Sequence, residues 1–518
     1  MFSPLPPRDR SSPRAPRHAS ARRALTVALL IAIAPATASA ATIAVTTPDD
    51  SDPTASSSCT LRQAILSMNS AMQSGSCINT GAAFGNNDTI TFAASSIAGA
   101  TMPGTVTLAD SADTSGNHAG TLVITANQLT IDASAWRGNG PGLYADGVTI
   151  ARPNGASHAF GILKDTAPAG SLLVLNGVAL RNGEAGDGGG VGMGAADLSM
   201  TDSRVSGNKA NSGGGISSQS GDIALTRCTI DDNVGYLGGG IGSGSGMVTV
   251  TSTTISGNGE WAVSHGGGID AEGTLLLVDS TISGNVAKRG AGIRVGGVAS
   301  LVRSVVTAND SYYLGGGVHV LADAMITVAS STINGNSARY AGGGVYAEGD
   351  LIATNSTIAG NGAGDGGGLF LTATGMQHLD HVTLSLNHAN HAGGGIGGSG
   401  GGGTLDRSIV SGNTAPTDAD IATGVGWTGV DSLVANPSVA LGALQDNGGA
   451  TPTMLPGAGS TAIDVIAPHN CTQSSDQRGM PRPWGAGCDV GAVEAVPDAI
   501  FANGFDDADR PLPPQESS

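Results

Sequence analysis

The chain has 518 residues, 83 of them glycine, with 3% aromatic residues, 12% charged residues and a formal net charge of −18. So little charge with so much Gly, Thr, Ser and Asn excludes a helical bundle and points to short strands joined by tight turns. The acidic balance argues against nucleic-acid or anionic-lipid partners.

Residues 1–40 read as a secretory signal peptide. Six arginines between Arg8 and Arg23 precede an apolar run, Ala24–Ala34, and the small residues Ala38, Ser39 and Ala40 follow. Without this segment, which also holds Asp9, 17 basic and 40 acidic residues remain, a formal charge of −23. Beyond it no run of roughly 18 apolar residues occurs, so no transmembrane segment is expected. The expectation is an exported, monomeric chain, extracellular or on the outer-membrane surface. Its five cysteines would then meet an oxidising compartment. Cys59 with Cys77, and Cys471 with Cys488, pair locally, each closure contributing roughly 3 kcal/mol. Cys228 reads as a buried inert thiol. No Cys/His spacing suits a metal, and no cofactor is expected.

Residues 41–118 form an N-terminal cap. ATIAVTT (Ala41–Thr47) alternates as a strand. Thr60 and Gln63 make a capping box for a helix over 60–73, with Leu61, Ala64, Ile65, Met68 and Met72 on one face. NDTITF (Asn87–Phe92) is a strand, with further strands near Val106, Leu122 and Leu129.

Residues 119–455 carry the repeat. Asn recurs at 182, 208, 233, 258, 285, 309, 336, 361, 387 and 413, and Leu433 with Asn436 resembles one further copy, at intervals of 23 to 27 residues. Val, Ile or Leu stands three residues before each Asn except Asn182, and a glycine-rich stretch with another aliphatic follows. A fixed period of this length means a stacked solenoid. The fold expected is all-β, a right-handed parallel β-helix of pectate-lyase-like type, with about eleven coils or more and three strands per coil, ~4.8 Å apart. The helix over 60–73 should lie across the open end of its first coil. An inward Asn at one corner of every coil can bond to its copies above and below. The glycines would let the chain turn tightly against the next coil. Gly-Asp-Gly at Asp187 and Asp365 resembles a calcium nonapeptide, but no nine-residue tandem accompanies it.

Residues 456–497 read as a disulfide-stapled C-terminal cap over the last coil, and 498–518 as a disordered acidic tail.

Several motifs carry a resemblance. Cys59–Ile65 (CTLRQAI) followed by NDTITF resembles the N-terminal module named for its Cys-Ser-Leu-Arg-Glu-Ala motif, with Thr for Ser and Gln for Glu. Leu444–Asp464 (LQDNGGATPTMLPGAGSTAID) and the run Asp476–Glu494 resemble the choice-of-anchor Q domain. The repeats are similar to those of polymorphic outer-membrane proteins. The resemblance implies a secreted or surface-attached bacterial β-helix. Autotransporter relatives end in a membrane β-barrel, and nothing here alternates long enough to form one.

Aligned on the glycines, the position after the first aliphatic should point outward. In successive coils it is Gly192, Ser217, Gly242, Asp270, Arg294, His319, Tyr346, Phe370 and Gly397. The middle five form a stripe about 19 Å long. Glu272 and Glu348 add carboxylates to that face. Turns before the glycines hold Tyr236, Trp261, His265, Lys288, Arg289, Tyr312, Tyr313, Arg339 and Tyr340. Aromatic faces beside polar groups suit a glycan or a partner protein. The ligand-binding candidates are therefore Tyr236, Trp261, Asp270, Glu272, Arg294, Tyr313, His319, Tyr340, Tyr346, Glu348 and Phe370. The expected function is an adhesin-like binding scaffold without catalytic residues. Two alternatives stand beside it: an ordinary solvated face, and a polysaccharide lyase or glycoside hydrolase using Asp270, Arg294, His319 and the glutamates.

Overall fold

The computed structural model describes residues 40–48, 50, 58–93, 104–110, 120–138, 146–156, 158–260, 264–372 and 374–495. The expected signal segment up to residue 39, Trp261 and the tail 498–518 lie outside the described residues.

The chain is a parallel β-solenoid. A 25-stranded sheet and an 11-stranded sheet run its length, and a five-stranded sheet joins them over part of it. In the middle coils the strand count is four, not the expected three. One coil runs Thr274–Val278, Thr281–Ser283, Val286–Arg289 and Ile293–Val295. The extra strand is the segment read from sequence as a turn before the glycines. It belongs to the five-stranded sheet, here termed the arm.

Alternation explains the tube. In Thr274–Val278, Leu275 and Leu277 are buried and their neighbours are not. Equivalent residues form columns up the stack, because each strand pairs in register with the one a coil away: Leu275 with Val248 and with Ala299. One continuous core results, from Ala41 to Val425.

Between coils the buried polar groups pair with their own copies. Asn309 Nδ2 donates to Asn336 Oδ1 at 2.9 Å and to the Ile282 carbonyl at 3.1 Å. Its own Oδ1 accepts from the Asn285 backbone N–H and side chain at 3.0 and 2.9 Å. The ladder runs from Asn208 to Asn413 and ends on Asp420, which accepts from Asn413 at 2.8 Å. An acceptor-only carboxylate fits that last position, where no further acceptor is required. Asn182 and Asn436 lie outside the ladder. Asn182 has φ +63, and it is Gly183 whose N–H meets Asn208 Oδ1. Asn436 Oδ1 accepts from Ser438 instead. A second ladder of hydroxyls, Thr253, Ser280, Ser304 and Ser331, links backbone N–H groups of adjacent coils. Cys228, buried and free, occupies one of its positions, its N–H donating to Thr253 Oγ1.

The residues expected as a separate N-terminal cap already belong to the stack. Thr42–Val45 pairs with Asp88–Phe92, which pairs with the strand Gln128–Asp132. The helix spans Leu61–Ser70, with the Thr60–Gln63 capping box formed at both bonds. It packs on Thr42–Val45 and Leu122–Ile124, the terminal strands of the two long sheets, and so closes that end. Met72 was expected on the buried face but is 68% exposed, since the helix ends at Ala71 in a left-handed conformation.

Both disulfides form as expected, Cys59–Cys77 and Cys471–Cys488. The C-terminal segment is not confined to the last coil, where Ala462, Ile466, Cys488 and Val490 pack with Ile409 and Leu433. It folds back along the flank of the 25-stranded sheet as a strap. Thr451 bonds to the Ser330 carbonyl, Asn355 to the Ser475 carbonyl, Thr472 to Asp380, and Gly491 N–H to the Arg407 carbonyl, a crossing of four coils. Ile421 and Ala422, beside Asp420, and Trp427, in the strand Gly426–Thr428, also pack on the main core at this end.

Candidate functional site

The outward column expected from sequence is present in register. Gly242 pairs with Asp270, Asp270 with Arg294, Arg294 with His319, His319 with Tyr346, and Tyr346 with Phe370. These residues point away from the core, yet they are not a flat solvated stripe. Asp270 is 4% exposed and His319 0%. The arm covers them, and the glycines are the reason it can. Gly266, the first of its triplet, has φ +61, and a Cβ there would lie 2.7 Å from Asp270 Cβ. At Gly315, φ +64, it would lie 2.9 Å from His319 Cβ. A positive φ and a neighbouring side chain each demand glycine there. The third glycine of a triplet serves the Asn ladder: a Cβ on Gly317 would come within 3.1 Å of Asn336 Nδ2.

Under the arm the charged members pair. Arg294 Nη1 donates to Asp270 and to Glu272, both at 2.6 Å. Burial pushes the Asp270 carboxyl up to about 6, against the pull of Arg294. His319 is kept below the usual imidazole range by its burial. It is neutral at pH 7 and donates Nε2–H to Glu348 at 3.1 Å, which holds that carboxyl low. The His319 Nδ1 is buried without a hydrogen bond among the described residues.

The aromatic members form two stacks. Tyr346 lies on Phe370 with ring centres 5.3 Å apart and planes 3° apart, and His319 meets Tyr346 edge-on at 5.2 Å. On the arm, Tyr313 stacks on Tyr340 at 5.1 Å and 14°. Tyr312 meets Tyr313 edge-on at 4.9 Å. A β-bulge in Asp310–Leu314 sets Lys288 opposite both tyrosines. Lys288 Nζ lies 5.4 Å from the Tyr313 ring centre, and the Arg339 guanidinium lies 5.2 Å from that of Tyr312 and 5.6 Å from that of Tyr340. Tyr236, 54% exposed, meets His265 edge-on at 5.6 Å. Burial and the charges of Arg294, Arg289, Lys288 and His319 push His265 down to about 4.

The described candidates thus fall into Asp270–Arg294–Glu272, His319–Glu348, the sheet stack, the arm stack and Tyr236 with His265. The sequence did not point to a further feature at the N-terminal end of the same face. There a groove of about 780 Å³ is lined by Phe160, Lys164, Asp165, Glu184, Asp187 and Gln219 among others. Asp165 is 2% exposed, its Oδ2 makes no hydrogen bond among the described residues, and burial pushes it up to about 6. The outward column does lead there, through Gly192 to Lys164. The coils before Gly192 lack the triplet on which the alignment hangs. Among the described residues no group of three or more His, Cys, Asp or Glu could hold a metal ion.

No protein-family model, curated protein or solved structure matches the chain.

Proposed function

We propose that this chain is an exported extracellular or cell-surface scaffold that binds a glycan at the face shared by the arm and the 11-stranded sheet. The observation that carries the reading is the pair of aromatic stacks, Tyr313–Tyr340 and Tyr346–Phe370, seated among hydrogen-bonding groups. Sugar rings present C–H faces to aromatic planes and hydroxyls to the polar side chains around them. Tyr340, 46% exposed, and exposed Arg339 leave that surface open. Two disulfides suit an oxidising compartment, in keeping with the leader-like first 40 residues. The terminal motifs that resemble modules of secreted bacterial proteins point the same way.

A second reading, polysaccharide cleavage, is favoured by the convergence of Asp270 and Glu272 on Arg294. Against it, Asp270 and His319 are buried and each is tied to a protein partner, so neither offers a free acid or base to a substrate. Screening the purified protein against acidic and neutral polysaccharides, scoring retention and chain length together, separates the two. Retention with unchanged chain length is the expected result. Cleavage that disappears in Asp270→Asn would establish the enzyme instead.

A further inference from the structure

The distribution of unpaired cations over this acidic molecule is not uniform. Among the described residues every arginine except Arg289 and Arg339 forms an ion pair with a carboxylate. Arg339 stands at the arm stack with Lys288, which has no carboxylate partner among the described residues either, and Arg289, next to Lys288 in the chain, lies near Tyr346 of the sheet stack. Arg339 spans two tyrosine rings and donates to Tyr312 Oη at 3.1 Å. Arg289 is exposed and adjoins His265, His319 and Glu348 closely enough to bias their protonation. The nearby carboxylates are already engaged: Glu272 by Arg294, Glu348 by His319, Asp310 by Ser337. None of these three cations forms an ion pair with a carboxylate among the described residues, although the chain's formal charge is −18. Arginines elsewhere serve the fold through their carboxylates. These serve none, and the positive ends of Arg339 and Lys288 lie over tyrosine faces.

We infer that the ligand of this face is an anionic polysaccharide, its sugar rings lying on the Tyr313–Tyr340 stack and its carboxylate or sulfate groups meeting Arg289, Arg339 and Lys288. The inference rests on the glycan-binding reading above and narrows it. A guanidinium offers paired donors that match either anion, so the shared chemistry is an acidic substituent on a sugar.

The test is binding of alginate oligomers (carboxylate), dextran sulfate (sulfate ester) and neutral dextran to the full chain and to the Arg289→Gln/Arg339→Gln variant. Both side chains are exposed, and an unchanged thermal transition checks that the variant folds. Lys209→Gln is the control, a lysine without an ion pair on the arm side of an earlier coil. The expected result is that one charged polymer binds at least about tenfold more tightly than dextran and loses about tenfold in the double variant, with Lys209→Gln unaffected. Which polymer it is identifies the anion. Dextran bound as tightly as the charged polymers, with the double variant unaffected, overturns the inference and leaves the glycan reading standing. An equal loss in Lys209→Gln also overturns it, showing unspecific attraction. Binding of no polymer sinks both.

Discussion

At the residue scale the letters that repeat are the ones that build. From Asn233 to Asn387 each ladder asparagine uses both ends of its amide, as Asn309 does: Nδ2–H groups reach a carbonyl and the next Asn, and Oδ1 accepts twice from the coil before. Asn309→Ala removes four buried hydrogen bonds and leaves several partners unsatisfied, a loss of roughly 3–5 kcal/mol by the usual cost of buried orphans. The isosteric Asn309→Asp should be about as damaging, since an acceptor replaces the donor that faces the Ile282 carbonyl and Asn336 Oδ1. Thermal denaturation of the two variants checks this, and a wild-type Tm for Asn309→Asp would show that the amide donor is dispensable. This ladder was legible because an amide buried at one fixed spacing has few other uses. Asn182 was the exception in the sequence, lacking an aliphatic three residues before it, and it is also the one that stands outside the ladder at that end.

At the element scale the arm and the strap were the parts that sequence did not reveal. The arm's strands are two to five residues long and vary from Val-Ala-Lys-Arg to Ser-Ala, with no alternation to mark them as sheet. That is why the outward column was expected to face water when a neighbouring strand covers it. The strap left no mark either. In one column Thr254 is exposed, while Thr332 and Thr357 are fully buried beneath the strap, so the same residue type serves both settings. What draws the strap to this flank is specific. Gln477 Nε2 donates to the Thr332 and Thr451 hydroxyls, both at 2.9 Å, and its Oε1 accepts from Thr357 at 2.7 Å. The strap also has its own small apolar cluster, Ile409 with Ala462, Ile466, Cys488 and Val490, apart from the main core. Such a segment opens as a unit. Gln477→Ala should therefore increase proteolytic cleavage between residues 437 and 495 several-fold while the solenoid's main thermal transition stays in place. A loss of that transition would show instead that strap and tube fold as one.

At the scale of the whole molecule, stability and recognition are separated by position within the coil. Columns that face inward hold Ile, Leu and Val, and the two polar ladders fix the vertical register. Variation is confined to outward positions and the arm, and that is where the aromatic and unpaired basic residues gather. Those residues were legible by number, because alignment on the glycines brings Asp270, Arg294, His319, Tyr346 and Phe370 into one line. Their partners were not. That two carboxylates hold Arg294, and that Tyr313 stacks on Tyr340 and Tyr346 on Phe370, depend on side-chain packing between coils, which spacing alone does not give. A solenoid of this kind can exchange its outward residues without disturbing its coils, because each coil contacts only its neighbours through the constant positions.

The proposed contact with a glycan rests on these variable aromatics and not on the repeat itself. Retention of the Tyr313→Ala/Tyr340→Ala/Tyr346→Ala variant on a glycan array tests this most directly, alongside its thermal transition. The predicted result is that retention is abolished while the fold persists. Retention equal to that of the unaltered chain would contradict it.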